Sequence, residues 1–342
     1  MVDILSVFKD RGAAQVMVSI LEAFSRMYPE YEVAAAAEAP GIEMWPATWR
    51  VLFRGTYRVD AFEVVRYYHP DVVVVGESFP NDLEGRFAQA AQQLGIKLVL
   101  LEDFWGGFQR IPGLVKDPDL ILTLDDYAGK LVKQTFCTSS VVLIGNTGVR
   151  EKIEGPSAEV IALRDRGFKV ITFCGGSAET TEQIELLLRC LKVTSGNWRL
   201  IPRWHPGEID KPDPRHGNQP YHVTWNAMLE PLGDRVIRVT GSADSIVVCS
   251  DVVCSGYSTL LTKAAHAGVA AISLATPQVE QMLYEESAAY EIPQVALGLA
   301  RRVDAPTDLA QIQPCPEEAR AKLKPFDPVI GARAICELLR KG

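Results

Sequence analysis

The chain reads as an α/β protein of two domains, each built on a parallel sheet. Three observations lead there. Short apolar runs alternate with helical periodicity along nearly all of the 342 residues. The run Asp-Val-Val-Val-Val-Gly at 71–76 has the pattern of a strand buried on both faces, as in parallel sheets. The alternation breaks at the polar stretch REKIEGPSA, residues 150–158, whose Gly and Pro suit a linker. The expected bounds are 1–150 for the first domain, 151–325 for the second and 326–342 for a closing helix.

The elements follow in order. Residues 4–8 form a strand, and 13–27 carry helix periodicity through Val16, Ile20, Leu21 and Phe24. The valine strand 71–76 is followed by a helix at 86–94, then strands at 97–101 and 120–124. A helix at 125–136 and a strand at 141–144 complete the first half. The second half restarts with a strand at 169–173 and a helix at 179–191. A strand at 198–203 and a Pro/Asp/Gly-rich loop at 207–220 come next. Further strands are expected at 236–239, 252–254 and 270–274, and a final helix at 326–342.

Hydrophobic residues make up 47% and charged residues 23%, the balance of an ordinary globular protein. A net charge of -8 argues against a broad nucleic-acid surface, which would be basic, though not against a local basic cleft. Residues 1–8 lack the basic start and long apolar core of a signal peptide, so a cytoplasmic protein is expected. No apolar run approaches the ~18 residues of a membrane span. The seven cysteines form no CxxC pair or zinc spacing, and the five histidines no HExxH. Neither a metal nor a resident cofactor is expected.

Ligands of open α/β sheets bind at the carboxyl ends of the strands, so the residues that follow each strand are the candidates for chemistry. Ser255-Gly256-Tyr257-Ser258-Thr259 stands between a strand and a helix. Unpaired N–H groups and the helix dipole make such a junction receptive to phosphate. The same serine or threonine could instead cap the helix, and both readings stay open. Arg203 and His205, in RWHPGE, could reach an anion. Gly175 and Gly176 suit either a tight turn or the close approach of a nucleotide. Glu280 could accept from a sugar or ribose hydroxyl, or lie in a solvated first turn. In the first half Asp10, Glu77 and Asp103 each follow a strand, where a general base would meet a substrate proton. Asp103 is the first choice because aromatic residues and glycines flank it. A capping role is the alternative for each.

Four stretches carry a resemblance. DVVCSGYSTLLTKAAHAGVAAISL, RWHPGE, VVLIGNTGV and PQVEQ resemble segments of GT-B glycosyltransferases and the related UDP-N-acetylglucosamine 2-epimerases. The resemblance implies two Rossmann-like domains with parallel sheets facing across a cleft, and a terminal helix crossing back to the first domain. It implies a metal-independent glycosyltransferase moving a sugar from a nucleotide-activated donor, UDP- or CMP-linked, to an acceptor hydroxyl. Ser255, Gly256, Tyr257, Ser258 and Thr259 would hold phosphate, with Arg203 and His205 nearby. Gly175, Gly176, Thr240 and Ser242 would border the base, and Glu280 would bind a hydroxyl. Asp103, Glu77 or Asp10 would deprotonate a small-molecule or glycan acceptor, whose specificity is expected from loops at 40–56 and 102–117. The alternatives are a nucleotide-sugar epimerase or hydrolase, or a non-catalytic nucleotide-binding relative. Homo-oligomerisation stays open.

Overall fold

A computed structural model describes residues 2–54, 59–78, 83–111, 113–149, 155–176, 179–205, 207 and 209–341. Contacts divide the chain into two units. Unit 1 comprises Met1–Thr147, Glu286–Ala289 and Lys324–Gly342; unit 2 comprises Gly148–Glu285 and Tyr290–Leu323.

Unit 1 opens with β1 (Ile4–Phe8), α1 (Arg11–Met27), β2 (Val33–Ala37) and β3 (Arg50–Arg54). It continues through α2 (Ala61–Tyr68), β4 (Val72–Val75), α3 (Leu83–Gln93), β5 (Lys97–Leu101), β6 (Leu120–Thr123), α4 (Asp126–Thr135) and β7 (Ser140–Leu143). The seven strands are parallel, in the order β3-β2-β1-β4-β5-β6-β7. All four valines of β4 are buried, as its unbroken apolar run requires. α1 buries the stripe Val16, Ile20, Leu21 and Phe24 against this sheet. The sequence order turns back on itself between β1 and β4, which places a crevice at their carboxyl ends.

Unit 2 contains α5 (Ala158–Asp165), β8 (Lys169–Gly175), α6 (Thr180–Val193) and β9 (Trp198–Trp204). A two-residue hairpin, β10 (Pro212–Asp213) with β11 (Gln219–Pro220), precedes α7 (Tyr221–Leu229) and α8 (Ala243–Val247). Next come β12 (Val252–Ser255), α9 (Thr259–His266), β13 (Ala270–Leu274), α10 (Pro277–Glu286), α11 (Pro293–Ala296), β14 (Arg301–Val303) and α12 (Glu317–Arg320). The sheet is again parallel, in the order β14-β13-β12-β8-β9. Trp198, Trp225, Ile184 and Leu187 centre the core on one face, and Leu261, Ala264 and Val247 pack on another cluster. The last helix, α13 (Pro328–Arg340), is part of unit 1, where Ala332, Ile335 and Cys336 join the core of α1.

Two expectations are corrected. Residues 236–239 form no strand: Val236 makes an isolated bridge to Leu200, and the Ile237 amide donates to the Leu200 carbonyl. The contact with the edge strand β9 is limited to that one bridge, and Val236, Ile237 and Val239 pack onto the apolar cores beside it. The loop expected at 40–56 contains a 3-10 turn, Gly41–Met44, and the edge strand β3. Residues 55 and 56 of that loop lie outside the described residues. So do 150–154 of the linker, Ser177, and Pro206 and Glu208 of the RWHPGE segment.

Candidate functional site

In unit 1 the carboxyl edge of the sheet collects acidic side chains. Asp10 follows β1, Glu77 follows β4, Glu102 and Asp103 follow β5, and Glu84 lies on the first turn of α3. The Lys9 and Asp10 amides both donate to the Ser78 hydroxyl, at 3.1 and 2.9 Å, which ties the first two loops together. Asp10 occupies the N-cap position of α1 without making a side-chain cap bond.

The carboxylates differ in setting. Glu77 is 1% exposed. Burial pushes it well above the usual carboxylate range, the charges of Glu102 and Asp103 add to that, and Arg110 opposes it. Glu102 is fully buried and accepts from the Thr123 hydroxyl and, at 2.5 Å, from the Gly106 amide. Burial nevertheless pushes it up to about 8. Glu84, also buried, is pushed up to about 7 by desolvation, with the Ser78 hydroxyl opposing.

Asp103, like Asp10, is partly exposed. Desolvation raises it to about 6; the Arg110 guanidinium pulls it down and Asp10 pushes it up. Its Oδ2 lies only 2.8 Å from where a Cβ on Gly12 would sit, so glycine is what lets the first turn of α1 come this close. The positive end of a helix favours a carboxylate there. A carboxylate that titrates near neutrality and meets solvent can accept a proton from a bound hydroxyl.

The loop after β5 is held from several sides. The Trp105 indole N–H donates to Asp125 Oδ2 at 2.9 Å. Arg110 donates through Nε to the Glu286 carbonyl and through Nη2 to Glu286 Oε2, each at 3.2 Å. The Ser287 hydroxyl donates to the Trp105 carbonyl, and the Ala288 amide to the Gly106 carbonyl at 3.0 Å. Gly106 has φ of 70°, and a Cβ there would come within 2.7 Å of the Ala288 nitrogen.

In unit 2 the residues expected at the ligand are largely engaged in local structure. Ser258 is the N-cap of α9, accepting from the Leu260 amide at 3.2 Å. Ser255 is 2% exposed and donates its hydroxyl to the Cys174 carbonyl at 2.7 Å, so that proton joins β12 to β8. Gly256 gives close approach to protein: a Cβ would meet Gln183 Nε2 and Val279 Cγ2, both at 3.1 Å. The Tyr257 and Ser258 carbonyls accept from Gln294 Nε2 at 3.1 and 3.2 Å. Thr259 opens α9 and is partly exposed.

Arg203 donates to the carbonyls of Val239 and Gly241, at 3.2 and 2.8 Å. His205 Nδ1 accepts from the Gly207 amide at 3.2 Å, while the ring is exposed. A Cβ on Gly175 would meet Thr180 Cγ2 at 2.8 Å, and one on Gly176 would meet Glu179 Oε1 at 2.9 Å. Thr240 donates its amide and hydroxyl to Glu159, and Ser242 caps α8 by accepting from the Ser245 amide. Glu280 forms an exposed ion pair with Arg302.

The structure thus brings Asp10, Glu77 and Asp103 together at one sheet edge and adds Glu84, Glu102 and Arg110, which the sequence reading missed. Glu102 carried a signal, since it too directly follows a strand. Glu84 sits inside a helix and Glu286 lies 176 positions from Arg110, so neither pattern nor spacing points to them.

No protein-family profile and no curated protein matches the chain. Solved structures do match. The Staphylococcus aureus MnaA–UDP structure is 14% identical, covers 100% of this chain and 96% of its own, and has a TM-score of 0.65. The UDP-GlcNAc 2-epimerase of Methanocaldococcus jannaschii, with UDP-GlcNAc and UDP, is 12% identical over 99% of each chain, with a TM-score of 0.63. A glycosyltransferase from Rickettsia africae is 12% identical, covering 99% of this chain and 97% of its own, with a TM-score of 0.60. The chain therefore has the α/β fold of two Rossmann-like units common to GT-B glycosyltransferases and UDP-GlcNAc 2-epimerases. Among the described residues no helix is long and apolar enough to cross a membrane.

Proposed function

We propose that the protein is a GT-B glycosyltransferase that moves a sugar from a nucleotide-activated donor to an acceptor hydroxyl, without a metal ion. The observation that carries this reading is Asp103, a partly exposed carboxylate at the crevice of unit 1 that titrates near 6 beside the N-terminus of α1. At neutral pH it is charged and able to take the acceptor's proton. Burial raises Glu77 and pushes Glu102 up to about 8, so both disfavour competing negative charge beside it.

The nucleotide would lie at the carboxyl edge of the unit 2 sheet. The N-terminus of α9 would take the phosphate charge, with Tyr257 and Thr259 beside it and the exposed ring of His205 within the same edge. Stabilising the departing phosphate by fixed dipoles is often the largest catalytic contribution. Support for a nucleotide sugar comes from the fold, whose solved examples include proteins with UDP or UDP-GlcNAc. The acceptor would be a small molecule or a glycan.

A second reading is a nucleotide-sugar epimerase or hydrolase. It is favoured by Glu102, pushed up to about 8, standing next to Asp103 at about 6, since an acid and a base could then act together.

The test begins with calorimetric binding of UDP, CMP, GDP, ADP and dTDP without metal. Binding confined to one nucleotide is the expected result and names the donor; no binding to any of the five overturns the reading. Turnover follows with and without acceptors. Acceptor-dependent release of nucleotide supports transfer, and altered sugar without acceptor supports the second reading. Asp103→Asn should lower turnover by roughly 10²–10⁴-fold with nucleotide affinity intact.

A further inference from the structure

Arg110 is a cation set into a cluster of acids. Glu77 reaches it from the end of β4, Asp103 shares its loop, and Glu286 holds its guanidinium from the other side. Asp10 after β1, Glu84 on α3, Glu102 after β5 and Asp125 after β6 add further acidic groups to these surroundings. The Arg110 and Glu286 side chains are only 13% and 11% exposed, so this pair is shielded from solvent.

The geometry is specific. Nε and Nη2 are directed to the carbonyl and the carboxylate of the same residue, Glu286, and Nη1 donates to the Glu77 carbonyl at 3.4 Å. The guanidinium carbon lies 5.2 Å from the centre of the Phe104 ring. These contacts fall on the loop after β4, on the loop that carries Asp103 and on the short segment Glu286–Ala289, itself bonded to Trp105 and Gly106. A lysine has the charge but not the planar fork that makes these contacts at once.

From this arrangement we infer that Arg110, held by Glu286, is the positioning residue of the acidic site: it fixes the loop bearing Asp103 and supplies the countercharge its carboxylates share. The inference rests on the reading of Asp103 as the base, but its electrostatic part can be measured without turnover.

The experiment follows the Asp103 carboxyl carbon by NMR titration in the full chain, in wild type, Arg110→Met and Arg110→Lys, with assignment by Asp103→Asn. Removing the cation removes what favours the charged carboxylate, so the Arg110→Met midpoint should rise by about one unit or more. Arg110→Lys should recover most of the shift while losing order in the loop, seen as faster exchange of the Ala288 amide. Glu286→Gln should likewise speed that exchange. An Asp103 midpoint unchanged in a folded Arg110→Met protein overturns the inference. Should Arg110→Met not fold, Ala288 exchange as slow in Arg110→Lys and Glu286→Gln as in wild type overturns it. Where turnover is present, its acid limb should move with the NMR midpoint. A shifted midpoint in a protein that processes no nucleotide sugar would uphold the role of Arg110 and sink the enzyme reading instead.

Discussion

The Glu102 carboxylate accepts the hydroxyl proton of Thr123, joining the ends of β5 and β6 through two fully buried side chains. A buried carboxylate that loses a donor bears the full cost of desolvation. Thr123→Val, which keeps the shape, should destabilise the protein by about 1–3 kcal/mol in urea unfolding. Thr123→Ser should retain most of the stability.

The raised carboxyls make stability depend on pH with a definite sign. Glu102, Glu84 and Asp103 hold protons in the folded protein at about 8, 7 and 6, above their unfolded values. Between the ordinary carboxylate range and about 8, the folded state therefore binds more protons than the unfolded state. Their contribution is fully present below the unfolded values and is lost as pH rises through the folded ones. Unfolding free energy measured from pH 5 to 8 should fall from this source, and Glu102→Gln should flatten the decline. A decline of the same slope in Glu102→Gln would remove Glu102 as its origin.

Ser258 allows the cap and the phosphate to be separated. Ser258→Ala should cost about 1 kcal/mol of stability by losing the bond from the Leu260 amide. Ser258→Asp keeps a capping oxygen and adds negative charge at the helix end. Its melting temperature should stay near wild type while affinity for a nucleotide diphosphate drops. Unchanged affinity in Ser258→Asp would place the phosphate away from α9.

Lys97 donates from Nζ to the Leu338 carbonyl at 2.9 Å, in the last turn of α13. A cation at that end complements the helix dipole and satisfies a terminal carbonyl. Lys97→Met should lower stability by roughly 0.3–1 kcal/mol, with the loss shrinking in high salt.

The parts of the fold legible in the sequence were those whose local pattern and tertiary setting agree. The valines of β4 are buried on both faces and read as such, and α1 shows its apolar stripe directly. β2, Val-Ala-Ala-Ala-Ala, passed unread because alanine carries little strand preference; pairing with β1 and β3 decides its state. Residues 236–239 had the composition of a strand but meet β9 through one bridge. At the candidate site, a carboxylate placed after a strand was readable, so Asp10, Glu77 and Asp103 were found. Which hydroxyls were already bonded was not readable: Ser255 looks the same in sequence whether it faces an anion or donates to Cys174.

The chain passes from one unit to the other at Thr147/Gly148, Glu285/Glu286, Ala289/Tyr290 and Leu323/Lys324. No single scission can therefore release either half whole. A fragment ending at residue 147 would lack both the segment bonded to Trp105 and Gly106 and the helix that buries Ile20 against Gly331. Half-molecules made by simple truncation would inherit an open flank, whereas a splice that grafts residues 324–341 onto residue 147 would return the helix to its seat.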